Sequence, residues 1–430
     1  MLDPIVKRTL DAAGTSRVIR NIYVSTMLYG IGEILFTNSF MLLYFSMLGV
    51  PSDRILLYLS LPMFLRLFTV VPFAYWAERI GKVLIGVIGL SVGTAGMLIL
   101  AGTGFAPKPL IEPLIIVSVV LFGASYGMYL NSWFPLLSPI VPEERRGRFF
   151  GMMRLLYQST AIAFTFAVTW TLERKTAIGV FQAFLAAAVA LRVGGIILYG
   201  RIPELERIAE SGRTFLGSFL HAVGKQGYLP FCSYVFLLSL FTGACASLFG
   251  LLAKDTLGLP EGQVMLIGNL STFGALIGFF YGGTMVDKVG TKYVFLSCHF
   301  SYAIVLTLFL FRDHLLLPVL AVVGGLTLCF GLVQAASGVA ISSEMLALIP
   351  ADNKPMGSAI GISLQAMGIS LAGMFCSRII KLGMLSPSWT MFGRPLGPYD
   401  SLLLFCGVMV MVLAVTLGLV PSVVKKVQWE

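Results

Sequence analysis

Charge is scarce in this chain. Only 12% of its 430 residues are Asp, Glu, Lys or Arg, whereas 57% are hydrophobic and the mean hydropathy is +0.90. A soluble domain carries about 25% charge, so that class is excluded. Histidine is scarcer still: His221, His299 and His314 stand apart from one another, so no metal site is expected. The six cysteines (Cys232, Cys245, Cys298, Cys329, Cys376 and Cys406) all fall inside apolar runs and form no CxxC pair. They are expected to be small apolar packing residues rather than staples or ligands. Paired intramembrane carboxylates, a His cluster and a nucleophile constellation are all missing, so neither an enzyme nor a cofactor is expected. The basic stretch 1–20 (Lys7, Arg8, Arg17, Arg20) lacks a small-residue cleavage site before the first apolar run. It is expected to be a cytoplasmic tail rather than a cleaved signal. The net charge of +10 does not point to nucleic acid, because the bases are scattered among loops without an aromatic-interleaved patch.

What the chain has instead is long apolar runs. Twelve are present, at 21–48, 55–77, 83–103, 113–139, 149–171, 177–200, 229–252, 264–286, 292–311, 315–343, 357–380 and 401–420. Each approaches the roughly 20 residues a helix needs to cross a bilayer. Barrel strands would instead alternate apolar and polar residues in segments of about ten. The expectation is an all-α membrane protein with a lipid bilayer as its surroundings. The longest polar stretch divides the chain: a tail at 1–20, a six-helix bundle at 21–200, a linker at 201–226, a second bundle at 227–420 and a tail at 421–430. The linker is expected to carry a short surface helix around Phe215, Leu216, Phe219 and Leu220. With the N-terminal tail inside, 18 Lys and Arg fall on the cytoplasmic side and 8 on the other, with four inside spans. That bias places both termini in the cytoplasm, in a plasma or inner membrane.

The two halves repeat one another. Residues 72–86 read PFAYWAERIGKVLIG and residues 282–295 read GGTMVDKVGTKYVF. Each sets an acid, a base, a spacer and a glycine, then a lysine, at the turn between two apolar runs. The acids, Glu78 and Asp287, lie 209 positions apart. Pro142 with Gly147 and Gly151 is echoed by Pro350 with Gly357 and Gly361 at nearly the same offset. A chain of this kind is a duplicated membrane unit.

These features resemble the major facilitator superfamily, whose signature between its second and third helices is Gly-x-x-x-Asp-Arg/Lys-x-Gly-Arg/Lys-Arg/Lys. The second copy fits at Gly283, Asp287, Lys288, Gly290 and Lys292, with Thr291 in place of one base. The first fits at Arg79, Gly81 and Lys82, with Glu78 for the aspartate and Ala74 for the first glycine. The resemblance covers the whole chain. It implies twelve transmembrane helices in two pseudo-symmetric six-helix bundles, alternating access, and a turn that latches the cytoplasmic gate. Glu143, Glu144, Arg145, Arg146 and Arg148 are candidate partners for that latch. The fourth run lacks the arginine that many proton-linked members carry, and the fifth lacks the Gly-Pro motif of drug/proton antiporters. Drug export by that mechanism is disfavoured.

Polar side chains inside a span are costly and tend to face protein or water. Asn38, Asn131, Gln158, Asn269, Gln334 and Gln365 meet that description, with Tyr126, Trp133 and Tyr157 beside some of them. Amides hydrogen-bond hydroxyls and aromatic faces cover sugar-like rings, so these nine residues are the candidate substrate contacts. Each amide taken singly also fits a helix–helix hydrogen bond. Gln182, Arg192 and His299 depart from the pattern, since they lie in the sixth and ninth runs, which the resemblance puts outermost.

Glu33 is the candidate for ion coupling. It lies about 22 Å from the outer end of the first span, and Arg66 about 18 Å from that surface in the second, at 1.5 Å per residue. A facing pair is geometrically possible, with Arg154 as a second candidate partner. Burial favours a neutral acid and a neighbouring guanidinium favours the carboxylate. A pair that forms in one conformation and separates in another would therefore take up and release a proton. A permanent ion pair between the first two helices would account for the same residues. The expected function is secondary active transport of a small polar organic solute, a sugar or glycoside taken up with protons, by a monomer. Efflux of a metabolite or drug is the alternative, and a non-transporting sensor or lipid-handling protein the alternative from another class.

Overall fold

The computed structural model describes residues 12–37, 39–137, 140–141, 146–205, 215–224, 227–313, 317–348, 354–391 and 393–419. Every one of the twelve apolar runs overlaps a helix or a set of joined helices. The reason is that a backbone crossing lipid must satisfy its N–H and C=O groups internally. The first half contains α1 (Ala12–Thr37) with α2 (Ser39–Met47), then α3 (Ser52–Ile80), α4 (Lys82–Thr103), α5 (Lys108–Leu137), α6 (Arg146–Leu172) and α7 (Ile178–Tyr199). A short helix, α8 (Phe215–Val223), lies in the polar stretch between the halves, with Phe219 and Leu220 exposed. The second half contains α9 (Tyr228–Thr242) and α10 (Cys245–Leu251), ending in a π-helical turn at Leu252–Thr256. It continues with α11 (Glu261–Val289), α12 (Thr291–Leu310), α13 (Val319–Leu348), α14 (Lys354–Lys381) and α15 (Pro398–Leu419).

Among the described residues ten helices are long and apolar enough to cross a membrane, or eleven if the bent pair formed by α1 and α2 is one span. The run at 55–77 lies on α3, which carries Asp53, Arg54 and Arg66. The connection between α14 and α15 holds the one departure from helix among the described elements. There a two-stranded antiparallel hairpin, β1 (Trp389–Met391) and β2 (Arg394–Leu396), pairs Trp389 with Leu396. The Trp389 indole N–H donates to Ser401 Oγ at 2.9 Å, tying the hairpin to α15.

The chain divides into two compact units. The first comprises Met1–Leu48, Leu61–Val168 and Lys175–Arg213, and the second Gly49–Ser60, Thr169–Arg174 and Thr214–Glu430. Small residues set the closest helix approaches in each, as is usual where helices meet in lipid. In the first unit a Cβ on Gly89, Gly93 or Gly96 of α4 would overlap Met128, Ser125 or Ser118 of α5. In the second, Gly274, Gly278 and Gly282 recur every four residues along α11. A Cβ there would overlap Leu328, Leu332 or Ala336 of α13.

The polar residues that depart from the sequence pattern are pins between helices. Gln182 donates to the Ala101 carbonyl at 3.1 Å. Arg192 donates to Thr94 Oγ1 at 3.1 Å and also to the Tyr29 carbonyl. His299 shares a hydrogen bond with the Tyr234 hydroxyl at 3.0 Å. Each gives a buried polar group a partner within its own unit.

In the second unit the C-terminal end of α12 is fastened to the N-terminal end of α15. Arg312 donates to the Phe309 carbonyl at 2.8 Å and forms a buried ion pair with Asp400. Asp400 in turn accepts the Gly397 N–H at 2.9 Å. A cation at a helix C-terminus and an anion at a helix N-terminus both suit the backbone dipoles there.

Candidate functional site

The sequence Tyr29-Gly30-Ile31-Gly32-Glu33 on α1 clears space on two sides. A Cβ on Gly30 would overlap the Tyr157 ring of α6, and one on Gly32 would overlap Arg192 of α7 and Met97 of α4. Residues two apart on a helix point to nearly opposite sides. The two glycines thus let α6 and α7 approach α1 from different directions, one turn or less before Glu33.

Close packing also positions the partner of Glu33. On α5 a Cβ at Gly123 would overlap Pro62, and one at Gly127 would overlap Thr69, both on α3. That approach brings Tyr126 against Arg66, whose Cζ lies 3.2 Å from the ring centroid, a cation–π contact. Arg66 Nη2 donates to Glu33 Oε1 at 3.3 Å. The arginine side chain is 10% exposed and the glutamate 29%. Arg66 Nε is buried and has no hydrogen-bond partner among the described residues. Tyr126 and Tyr157 both lie within electrostatic reach of Glu33 and Arg66. Residues from α1, α3, α5 and α6 therefore meet at one place within the first unit. The arrangement can hold an anionic or hydroxylated group at the Arg66 guanidinium and cover a ring with tyrosine faces.

The other candidates lie elsewhere. Arg154 is an exposed residue of α6, and the ion pair of Glu33 is with Arg66. Trp133 is 3% exposed and belongs to an aromatic core. Its ring lies 5.5 Å from Tyr129 and 5.8 Å from Tyr199, with Tyr29 completing the group. Gln158 is buried on α6. In the second unit Asn269 is buried and donates to Thr169 Oγ1 at 2.9 Å, while Gln334 is exposed and Gln365 half-buried. Asn38 lies outside the described residues, as do the side chains of Asn131, Glu78, Arg79 and Asp287 and those of 143–146 and 148.

The repeated turn is built alike in both halves. Gly81 has φ 127° and ψ 135°, and Gly290 has φ 82° and ψ 160°, a region open essentially to glycine alone. Each glycine N–H donates to the carbonyl four residues back, Gly81 to Ala77 at 3.2 Å and Gly290 to Val286 at 3.0 Å. Lys82 is buried, Lys288 exposed and Lys292 half-buried. Close helix approach at the second copy falls on Gly282, because a Cβ on Gly283 meets nothing within 4 Å. Thr291, which stands where the signature has a base, donates to Glu344 Oε2 of α13 at 2.6 Å. The Lys82 N–H donates to Glu204 Oε1 at 3.3 Å.

Sequence reasoning missed Glu344, Arg312 and Asp400 as buried charges. All three sit at or beyond the edges of apolar runs, where charge is ordinarily solvated. Only the neighbouring helix shows that they are covered.

The family model for the Major Facilitator Superfamily matches residues 22–373. No curated protein matches the chain. Among solved structures, the nucleoside transporter NupG, in a mutant form, superposes with a TM-score of 0.72 at 11% identity, covering 94% of this chain and 99% of its own. A POT family transporter in complex with a thioalcohol-conjugated peptide gives 0.69 at 12% identity, covering 95% and 96%. A bacterial homologue of the human lysosomal transporter Spinster gives 0.67 at 15% identity, covering 98% and 100%. At these identities the likeness is one of fold.

Proposed function

Because the chain belongs to the Major Facilitator Superfamily, and so is a multi-pass membrane transporter, we propose that it moves a small polar organic solute by alternating access, coupled to a proton carried on Glu33. The first solute class to test is a sugar or glycoside. The observation that carries this reading is the Glu33–Arg66 pair at 3.3 Å, covered by Tyr126. The pair lies well inside the apolar runs, and buried charge in a span is retained for a purpose more often than for stability. Protonation of Glu33 would release Arg66, and deprotonation would restore the pair, so the proton and the conformation are linked. Tyrosine faces beside the pair suit a hydroxylated ring. Each amide candidate is a weaker support than this cluster, since Asn269 already has a partner in Thr169.

A thermal-shift screen of the purified protein against sugars, organic acids and drugs finds the solute, because a ligand that binds the native state raises apparent stability. In proteoliposomes loaded with that solute, Glu33→Gln is expected to abolish uphill, pH-driven uptake and to preserve exchange down the solute gradient. Unchanged pH-driven accumulation removes Glu33 from the mechanism. Loss of folding alone assigns the pair a structural role. We also place both termini in the cytoplasm on the basic-residue bias. In a cysteine-free background, cysteines near Gly212 and Lys354 should resist an impermeant thiol reagent in intact cells, and those near Lys108 and Lys254 should react.

A further inference from the structure

We propose that Arg66 is the anion subsite of the transport cycle and that the solute carries a carboxylate, as a sugar acid or a comparable small organic acid does. This rests on the transport reading above and narrows it. Two observations point to it, one of geometry and one of charge.

The geometry concerns one edge of the guanidinium. Nε–H and Nη2–H lie side by side and form a fork that matches the two oxygens of a carboxylate. Glu33 reaches only one prong, through a single oxygen at 3.3 Å from Nη2. That is long for a charge-assisted bond, which is ordinarily about 2.7–2.9 Å. The other prong, Nε, is buried and without a partner among the described residues. A buried donor left unpaired is costly, and native structures seldom leave one without a reason. Tyr126 covers the face of the guanidinium, with Cζ 3.2 Å from its ring centroid, and its hydroxyl lies within hydrogen-bonding reach of Arg66 and Glu33, a neutral group beside the half-filled fork. Arg312 Nε also has no partner among the described residues, but that guanidinium is already held by both oxygens of Asp400, whereas the Arg66 fork is half filled and has room for a second partner.

The charge count agrees. The first six apolar runs contain three arginines, Arg66, Arg154 and Arg192, against one carboxylate, Glu33. Arg192 is held by neutral groups, the Tyr29 carbonyl and Thr94 Oγ1. Excess positive charge in a span attracts an anion. The groups facing Glu33 are Tyr29 on its own helix, Arg66 on α3, Tyr126 on α5, Tyr157 on α6 and Arg192 on α7. Among these described groups there is no second acid that could fill the fork in its place.

The sequence of events follows. A proton binds the Glu33 carboxyl and loosens its hold on Nη2. The solute carboxylate then takes both prongs. Proton and monoanion cross together, so no net charge moves.

The test uses matched pairs that differ in one carboxylate: gluconate and glucuronate against glucose, and lactate against propane-1,2-diol. Thermal shifts of the purified protein are read at acidic and neutral pH. The acids should stabilise it more strongly than their neutral partners, and more at acidic pH. Arg66→Gln should weaken acid binding about 10- to 100-fold, the loss of a charge-assisted hydrogen bond. Glu33→Gln should bind the acids at neutral pH as tightly as the wild type does at acidic pH, because its arginine is already released. If Arg66→Gln does not fold, this second variant, which keeps the arginine, decides the matter. Equal stabilisation by neutral partners, no shift from any of the acids, or unchanged pH dependence in Glu33→Gln overturns the proposal. Failure of the broader reading looks different. A neutral sugar that accumulates on a pH gradient through Glu33 supports coupled transport and overturns the anion subsite. An acid that binds at Arg66 but is transported without regard to pH does the reverse.

Discussion

The two halves of this duplicated chain keep charge in different places. The first six apolar runs hold Glu33, Arg66, Arg154 and Arg192 well inside their helices. In the last six, charge is drawn to the ends: Arg312 and Asp400 join α12 to α15, Lys254 and Asp255 pair in the turn after α10, and Glu344 meets Thr291 near the end of α13. The glycine turn, by contrast, is nearly the same in both, with Gly81 and Gly290 in the same glycine-only region of backbone space. The lesson is that the repeat preserves the glycine turn while the interiors have diverged. We read one half as bearing the ionic chemistry and the other as a frame fastened at its ends and packed through glycine.

That contrast can be broken experimentally. The largest effect is expected from Asp400→Ala. It leaves Arg312, which is 2% exposed, as an uncompensated buried charge, a loss of about 3–5 kcal/mol that lowers the unfolding temperature in detergent. A stable variant with altered pH response would refute the division of labour. Gly278→Val comes next, at about 1–3 kcal/mol for forcing a side chain into Leu332 of α13. Gly283→Ala, one glycine further along, should change stability by less than about 0.5 kcal/mol, since its Cβ meets nothing within 4 Å.

At the turn, Gly290→Val should cost about 1–3 kcal/mol through its backbone conformation. Asp287→Asn should leave expression intact and slow transport, and a wild-type rate in that variant would make the turn a structural joint only. Thr291→Val should cost about 1 kcal/mol for the lost hydrogen bond to the Glu344 carboxylate. A larger transport defect than stability defect there would extend the gate to α13.

Much of the site is legible in one dimension and little of it in three. Depth along a span follows from counting residues, so Glu33 and Arg66 fall at similar heights by arithmetic alone. Which arginine faces the glutamate does not follow from counting. Arg154 stands as a second candidate by sequence, and the fold brings Arg66 to 3.3 Å and leaves Arg154 exposed on α6. Trp133 and Tyr157 look alike as aromatic candidates, yet Trp133 is sealed among Tyr29, Tyr129 and Tyr199 while Tyr157 lies against Gly30 beside the pair.

By itself the sequence determined the membrane class, the positions of the apolar runs, the internal repeat and the two glycine turns. These are local properties, set by hydropathy over some 20 residues and by backbone sterics at single positions. The tertiary structure alone decided which faces meet. A helix that is apolar on every side carries no stripe to mark its inward face, so the azimuth of a polar residue is set by its neighbours. Gly30, Gly123 and Gly127 set it here, by letting α6 approach α1 and α5 approach α3 until Tyr157 and Tyr126 close on Glu33 and Arg66.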